Sequence, residues 1–121
     1  METYVRNIVF NCSDAHALAS FYAELLGWRV ITLREDYVVI ARDEKIHPHL
    51  AFDEVPDYRP PRWPDPAYPQ QVHLDIHVVD SEAAQALALR LGATRLPDVG
   101  GSCPVFADPA GHPFCLCSPV Q

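Results

Sequence analysis

The stretch "VRNIVFNCSDAHALASFYAELLGW", residues 5–28, combines two patterns that decide the fold. Residues 5–12 alternate in character and are rich in β-branched and aromatic side chains, which is typical of a strand. Apolar residues then recur at helical spacing, between an N-cap at Ser13 or Asp14 and a terminator at Gly27. The stretch therefore predicts a strand followed by a helix.

Three short strands follow this helix, and the same order of elements begins again after residue 71. Polar turns separate the strands, and Gly100, Gly101 and the "DPAGH" turn lie between those of the second half. The sequence therefore predicts an α+β fold made of two βαβββ modules. The predicted strands are residues 5–12, 28–33, 37–42 and 49–53 in the first module and 72–79, 93–97, 103–108 and 113–118 in the second, whose helix is 81–92.

The two modules hold one offset over several markers, as an internal duplication should. Asp14 and Asp80, at the starts of the two helices, differ by 66, and so do Leu50 and Leu116 in the last strands. We therefore expect one domain over residues 1–121. It comprises a first module at about 4–53, a connector at 54–71 and a second module at about 72–118.

The connector holds six of the twelve prolines in the chain. Proline at this density excludes a helix or a central strand and predicts a stiff, extended segment. Its aromatic residues, among them Trp63 and Tyr68, either form a lid over a pocket or pack against the surface.

The alternation of the strands predicts which side chains face away from the helices. In the first strand of the second module, the apolar residues pack under the helix, which leaves His73 and Asp75 on the opposite face. The offset of 66 then makes Asn7 equivalent to His73 and His49 equivalent to Cys115. We expect these side chains to converge from four strands onto one concave surface.

Composition limits the class of protein. The chain has 121 residues, 49% of them hydrophobic, and a formal net charge of −7 with its nine basic residues scattered, which argues against a nucleic-acid partner. No apolar run approaches the roughly 20 residues that span a bilayer, and the start does not resemble a signal peptide. We therefore expect no membrane partner and a cytoplasmic location.

The four cysteines, at positions 12, 103, 115 and 117, are expected to be thiols in a reducing compartment. A bridge between Cys115 and Cys117 is unfavourable, because same-face neighbours on one strand lie too far apart for a disulfide. Two histidines are interpreted as surface or turn residues: His47, beside a proline, and His112, in the final turn.

Several motifs resemble those of the vicinal oxygen chelate superfamily, which contains glyoxalases, bleomycin-resistance proteins and dioxygenases. They are the doubled βαβββ order, "FYAELLGW" at 21–28, "HLDIHVVD" at 73–80 and above all "DPAGHPFCL" at 108–116. Residues 50–80 look more narrowly like its bacterial glyoxalase-like subfamily. The resemblance implies a cupped mixed sheet with the helices on its outer face, and a homodimer that exchanges modules in some relatives.

The resemblance also implies a metal held by the first and fourth strands of each module, at Asn7, His49, His73 and Cys115. In metal-using relatives the last position is typically glutamate, so Cys115 departs from the lyase and dioxygenase pattern. His49, His73 and Cys115 suit zinc with an open fourth position, and nickel, iron and manganese are the alternatives. Asp75, one strand repeat from His73, is interpreted as a poor ligand for the same metal.

Three functions follow as expectations. The first is a small-molecule binding protein, distinct from a true lactoylglutathione lyase, with a polar concave cavity closed by Trp63 or Tyr68. The second is a metal-dependent lyase, isomerase, dioxygenase or group-transfer enzyme that uses the three candidate ligands. The third is a non-catalytic dimerisation module. The residues expected to line the cavity are Asn7, His49, His73, Asp75 and Cys115.

Overall fold

The computed structural model describes residues 2–98 and 103–119, and the chain separates into two compact units, residues 1–58 and 59–121. Each unit has the predicted βαβββ order, which confirms the α+β fold. None of the helices in the described ranges combines the length and apolar character needed to cross a membrane.

The first unit contains β1 (Asn7–Cys12), α1 (Ala15–Leu26), β2 (Arg29–Leu33), β3 (Tyr37–Ala41) and β4 (His49–Glu54). The second contains β5 (Leu74–His77), α2 (Ser81–Arg90), β6 (Thr94–Arg95), β7 (Val105–Ala107) and β8 (Pro113–Cys117).

In the N-terminal unit, the four strands form one sheet in the order β1-β4-β3-β2, in which β1 and β4 are parallel. Helix α1 begins at Asp14, whose side chain accepts a hydrogen bond from the Ala17 N–H, and ends at Gly27 with φ of 70°. The helix covers one face of the sheet through Tyr22, whose ring lies 5.9 Å from that of Phe10 and 5.7 Å from that of Phe52. This aromatic cluster is the centre of the core.

The C-terminal unit repeats the arrangement with shorter strands, in the order β5-β8-β7-β6. Asp80 caps α2 by accepting a hydrogen bond from the Ala83 N–H, so both helices begin at an aspartate. The stacked rings of Phe106 and Phe114, 5.7 Å apart, lie in its core. Helix α2 contributes little to that core, since Ala88 is the helix residue found fully buried.

A disulfide joins Cys103 and Cys117, and the expectation of four thiols is therefore wrong for this pair. Strands β7 and β8 are antiparallel and pair Val105 with Cys115. Cys103, two residues before Val105, therefore lies opposite Cys117, two residues after Cys115, with a Cα separation of 5.1 Å that suits a disulfide. Cys12 and Cys115 are thiols, as expected. The sequence argument excluded a bridge along β8 correctly but did not consider one across the hairpin.

The proline-rich connector is compact, which corrects the expectation of a stiff, extended segment. Residues 55–73 contain turns and neither a helix nor a strand. The Arg62 N–H donates to the Tyr68 carbonyl, and the Tyr68 N–H donates to the Asp65 carbonyl, so the chain folds back on itself. The Arg62 guanidinium also lies 4.4 Å from the centre of the Tyr68 ring.

The "DPAGH" turn before β8 is held by its first residue. The buried Asp108 carboxylate accepts hydrogen bonds from the N–H groups of Ala110 and His112. His112 lies in this turn, as predicted, and it is buried there rather than at the surface. At Gly111, with φ of 93°, an added Cβ would lie 2.9 Å from the Cβ of Pro60, so the turn and the connector require glycine here.

Candidate functional site

In the C-terminal unit, three side chains able to bind a metal come together. Nε2 of His73 lies 3.0 Å from Sγ of Cys115 and 3.2 Å from Oδ1 of Asp75. All three ligand atoms lie within 4.8 Å of one another. Asp75 was interpreted as a poor ligand for the same metal because it is one strand repeat from His73, but the structure brings its carboxylate next to Nε2 of His73. We call these three residues the His-Asp-Cys cluster.

The strand register explains how Asp75 joins the cluster. In the N-terminal unit, β1 and β4 pair Asn7 with His49, so the offset of 66 implies that His73 pairs with Cys115. In the C-terminal unit, β5 and β8 pair Cys115 with Asp75 rather than with His73. The shift of two residues keeps every side chain on its predicted face, because side chains alternate with a period of two.

The connector positions the imidazole of His73. Its Nδ1–H donates to Oε1 of Gln70 at 3.1 Å, which leaves Nε2 facing Cys115 and Asp75. Trp63 stands edge-on to the same ring, with centroids 6.3 Å apart. Tyr68 is exposed and stacks with Arg62. Of the two residues expected to close the site, Trp63 is therefore the one for which the structure gives a contact with His73.

The environment of Cys115 favours its neutral form. Burial raises the pKa of the Cys115 thiol above its ordinary range, and the charge of Asp75 and a hydrogen bond to it raise this pKa further. Arg95 lowers it, as the weakest of these influences. Binding of a metal by Cys115 would therefore release a proton from the thiol.

The His-Asp-Cys cluster fits a divalent metal by its chemistry. Imidazole nitrogen, thiolate sulfur and carboxylate oxygen are all ligands of zinc, and three protein ligands leave a position open for a substrate. Asp75 is free to adjust, since its side chain is 72% exposed. This set of candidate ligands differs from the expected one, because it contains Asp75. His49 lies in the N-terminal unit, and its role as a ligand stays a prediction.

The N-terminal unit contains a pocket of its own, with a volume of about 420 Å³. We call it the Asn7 pocket. Its apolar wall comes from β2 and β3, and its polar wall from β1, β4 and the segments before them. The polar wall consists of Tyr4, Arg6, Asn7, Glu44, His47 and His49.

Three rings form a column along the polar wall. The Tyr4 ring lies 4.8 Å from that of His47, which stacks on His49 at 4.1 Å. His49 is buried, and its Nε2–H donates to the Glu44 carbonyl at 3.1 Å, while Nδ1–H of His47 donates to the Arg6 carbonyl. The sequence argument interpreted His47 as a surface or turn residue. It lies in the bend before β4, and it also lines the Asn7 pocket, which the sequence argument did not predict.

One polar atom of the Asn7 pocket is unsatisfied. Oδ1 of Asn7 is buried and has no hydrogen-bond partner among the described residues. A buried acceptor without a donor is unfavourable by about 1–3 kcal/mol, and a ligand that donates a hydrogen bond to this pocket residue would remove that cost.

Comparison with known proteins identifies a domain family. Residues 7–117, nearly the whole chain, match the sequence profile of the glyoxalase-like domain. Among curated proteins, none matches this sequence.

Solved structures share the fold at low sequence identity. A glyoxalase-related enzyme from Fulvimarina pelagi has a TM-score of 0.68 at 18% identity, over 97% of this chain and 88% of that one. TnmS3, an antibiotic binding protein from a Streptomyces species, has a TM-score of 0.63 at 18% identity, over 98% and 97%. A lactoylglutathione lyase from Agrobacterium tumefaciens has a TM-score of 0.61 at 14% identity, over 98% and 95%. These similarities establish the fold alone.

Proposed function

The chain belongs to the glyoxalase-like domain family, and from that premise we propose that it is a small-molecule binding protein whose ligand occupies the Asn7 pocket. The observation that carries the proposal is the buried, unpaired Oδ1 of Asn7, a residue that lines that pocket. Its ligand is expected to donate an N–H or O–H group to this atom.

The dimensions and chemistry of the pocket support binding. A volume of about 420 Å³ lies within the range of roughly 300–1,000 Å³ that is usual for sites of small molecules. Apolar residues such as Val39 and Ile31 face the polar wall, so the pocket offers both contact area and orienting groups. His49 is already held by Glu44, so its ring is positioned before a ligand arrives.

The similarity to an antibiotic binding protein is consistent with a binding role, since that protein shares the fold over nearly the whole chain. We do not propose lactoylglutathione lyase activity. The last position of the metal set that the resemblance implies holds Cys115 rather than a carboxylate, and the lyase neighbour is 14% identical.

The proposal is tested by NMR with ¹⁵N-labelled protein and a mixture of chemically diverse small molecules. We expect some compounds to shift the signals of Asn7 and His49, and their affinity to fall in Asn7→Leu, which lacks the acceptor. Asn11→Leu is the matched control, because Asn11 is exposed on the same strand and does not line the pocket. The proposal fails if no compound perturbs the pocket signals, or if Asn7→Leu binds them all as well as the wild type.

The His-Asp-Cys cluster favours a second candidate function, that of a metal-dependent lyase, isomerase, dioxygenase or group-transfer enzyme. A divalent metal bound there would act as a Lewis acid towards a substrate oxygen. His73 and Asp75 would supply nitrogen and oxygen ligands, and Gln70 would keep Nε2 of His73 directed at the ion.

Elemental analysis separates the two candidates. Protein is purified after expression with zinc, nickel, iron and manganese supplied, as wild type, His73→Ala and His77→Ala. His77 is the matched control, since it is exposed at the end of β5, the strand that follows His73, and lies outside the cluster. Stoichiometric metal that is lost only in His73→Ala favours the enzyme. Metal-free protein from every culture eliminates it.

Two further expectations belong to this proposal. The homodimer implied by the resemblance is tested by sedimentation velocity. The cytoplasmic location is tested by trapping thiols in freshly lysed cells, because disulfides persist mainly in oxidising compartments. Cys103 and Cys117 recovered as thiols would support this location, and a Cys103–Cys117 bridge recovered already formed would argue against it.

A further inference from the structure

We propose that the Asn7 pocket is selective for a zwitterionic aromatic molecule that carries both an ammonium and a carboxylate, in the manner of an aromatic amino acid. This inference rests on the proposed function and extends it to a class of ligand. It follows from three features that line the same pocket: a column of rings, one residue of each charge, and the unpaired acceptor.

The column of rings favours an aromatic group. Tyr4, His47 and His49 are spaced 4.8 and 4.1 Å apart, as in stacked and tilted ring pairs. His47 and His49 are fixed through one ring nitrogen each, by the Arg6 and Glu44 carbonyls, so their faces are held in place. Tyr4, which is 63% exposed, can change its position to cover a ring that enters the pocket.

The two charged residues favour a ligand with both charges. Arg6 and Glu44 both line the pocket and are exposed, and among residues 2–98 and 103–119 neither is in an ion pair. A guanidinium pairs well with a carboxylate, and a carboxylate with an ammonium. A ligand with a single charge would match one of these residues and leave the other without a partner.

The acceptor on Asn7 fits the ammonium. An ammonium has three N–H donors, and one of them can be used for Oδ1 of Asn7 while another is directed at Glu44. Since Asn7 Oδ1 is buried and Glu44 exposed, the hydrogen bond to Asn7 is expected to contribute more than the ion pair to Glu44.

Calorimetric titration with four probes tests each feature separately. L-phenylalanine has the ring and both charges, phenethylamine lacks the carboxylate, 3-phenylpropionate lacks the ammonium, and L-cyclohexylalanine lacks the aromatic ring. We expect phenylalanine to bind most tightly. Phenethylamine should bind roughly two- to fivefold more weakly, the size of one exposed charge contact, and cyclohexylalanine roughly two- to tenfold more weakly, the size of one ring contact. The affinity of 3-phenylpropionate should fall further than that of phenethylamine, because it lacks the donor to Asn7 as well as one charge.

Charge-neutral variants then assign each contact to a residue. Arg6→Gln should weaken the binding of phenylalanine by roughly two- to fivefold and leave the binding of phenethylamine unchanged. Glu44→Gln should weaken the binding of phenylalanine and leave the binding of 3-phenylpropionate unchanged. Arg42→Gln and Glu35→Gln are the matched controls, because both residues are exposed in the same unit and lie outside the pocket.

The outcomes separate this inference from the proposed function. If cyclohexylalanine or a singly charged analogue binds as tightly as phenylalanine, the inference is overturned, and the same holds if compounds of other classes occupy the pocket while the four probes do not. In both cases binding in the Asn7 pocket stands. If neither the probes nor the mixture perturbs Asn7, both proposals fail.

Discussion

The two units of this protein have the same strand order, but they are stabilised in different ways. The N-terminal strands are five or six residues long and lie under a helix that buries five residues. The C-terminal strands have two to five residues, and one residue of their helix is fully buried. The C-terminal unit adds the Cys103–Cys117 disulfide and a turn packed on the connector. One topology is thus maintained by apolar packing in the first unit and with the help of covalent and steric constraints in the second.

The polar groups of the two units also differ. The N-terminal unit has a pocket with an unpaired amide oxygen, whereas the C-terminal unit has a cluster whose groups already contact one another. The two units therefore present different chemistry: a pocket residue with an unpaired acceptor in the first, and three potential metal ligands in the second.

The largest expected effect comes from the N-terminal core. Phe52→Ala removes a fully buried ring that contacts Phe10 and Tyr22, and we expect the free energy of unfolding to fall by about 3–5 kcal/mol. Chemical denaturation measures it. Leu33→Ala is the control, since Leu33 is exposed and its loss should change stability by less than about 0.5 kcal/mol. Equal effects of the two variants would contradict a stability based on packing in this unit.

The next effect is on the disulfide of the C-terminal unit. Cys103→Ser with Cys117→Ser opens a loop with a sequence separation of 14, and loop entropy predicts a loss of about 3 kcal/mol for a loop of this length. Reduction of the wild type with dithiothreitol should reproduce the loss and have no further effect on the double variant. If neither treatment changes the unfolding of the C-terminal unit, the disulfide does not stabilise it.

A smaller difference separates two glycines. Gly111→Ala combines a positive φ with a Cβ that would lie 2.9 Å from Pro60, whereas Gly27→Ala has a positive φ and open space. We expect Gly27→Ala to lose about 1–2 kcal/mol, which is the cost of the left-handed conformation alone, and Gly111→Ala to lose more. Thermal unfolding of both variants measures this. Equal losses would show that the contact between the turn and the connector contributes nothing.

Most of the fold could be predicted from the sequence, because helix caps and alternating strands are local signals. Asp14 and Asp80 cap the two helices as their equivalent positions imply. The strand register could not be predicted in this way. Ile8 lies six residues before the first cap, and Ile76, its counterpart in the register, lies four before the second. The shorter connection moves β5 by two residues, and a shift of two leaves the alternation unchanged, so the pattern contains no trace of it.

The candidate sites were predicted in part for the same reason. The face assignments placed Asn7 and His49 together, and His73 near Cys115. They did not place Asp75 opposite Cys115, which depends on the register, or His47 in the Asn7 pocket, which depends on a loop conformation. The convergence of all four predicted positions on one surface stays a prediction.

The smallest expected effect concerns the thiol of the His-Asp-Cys cluster. Burial and Asp75 raise the pKa of Cys115, so folding favours its protonated form. Its contribution to stability is therefore fully present below the ordinary thiol pKa of about 8.5 and is lost as the pH rises through the folded-state value. In metal-free protein, we expect alkylation of Cys115 by iodoacetamide, followed by peptide mass mapping, to have its midpoint above that of the denatured chain.

Asp75→Asn tests the cause of this shift, because it removes the negative charge while keeping the shape of the side chain. The midpoint of Cys115 alkylation should then fall, but stay above that of the denatured chain, since burial is the largest cause of the raised pKa and is unchanged. Asp36→Asn, in the N-terminal unit, should leave the midpoint where it is. A midpoint in the wild type at or below that of the denatured chain would mean that the cluster stabilises a thiolate. The resting cluster would then be suited to bind a metal without first releasing a proton, and the two units would differ more in chemistry than their contacts indicate.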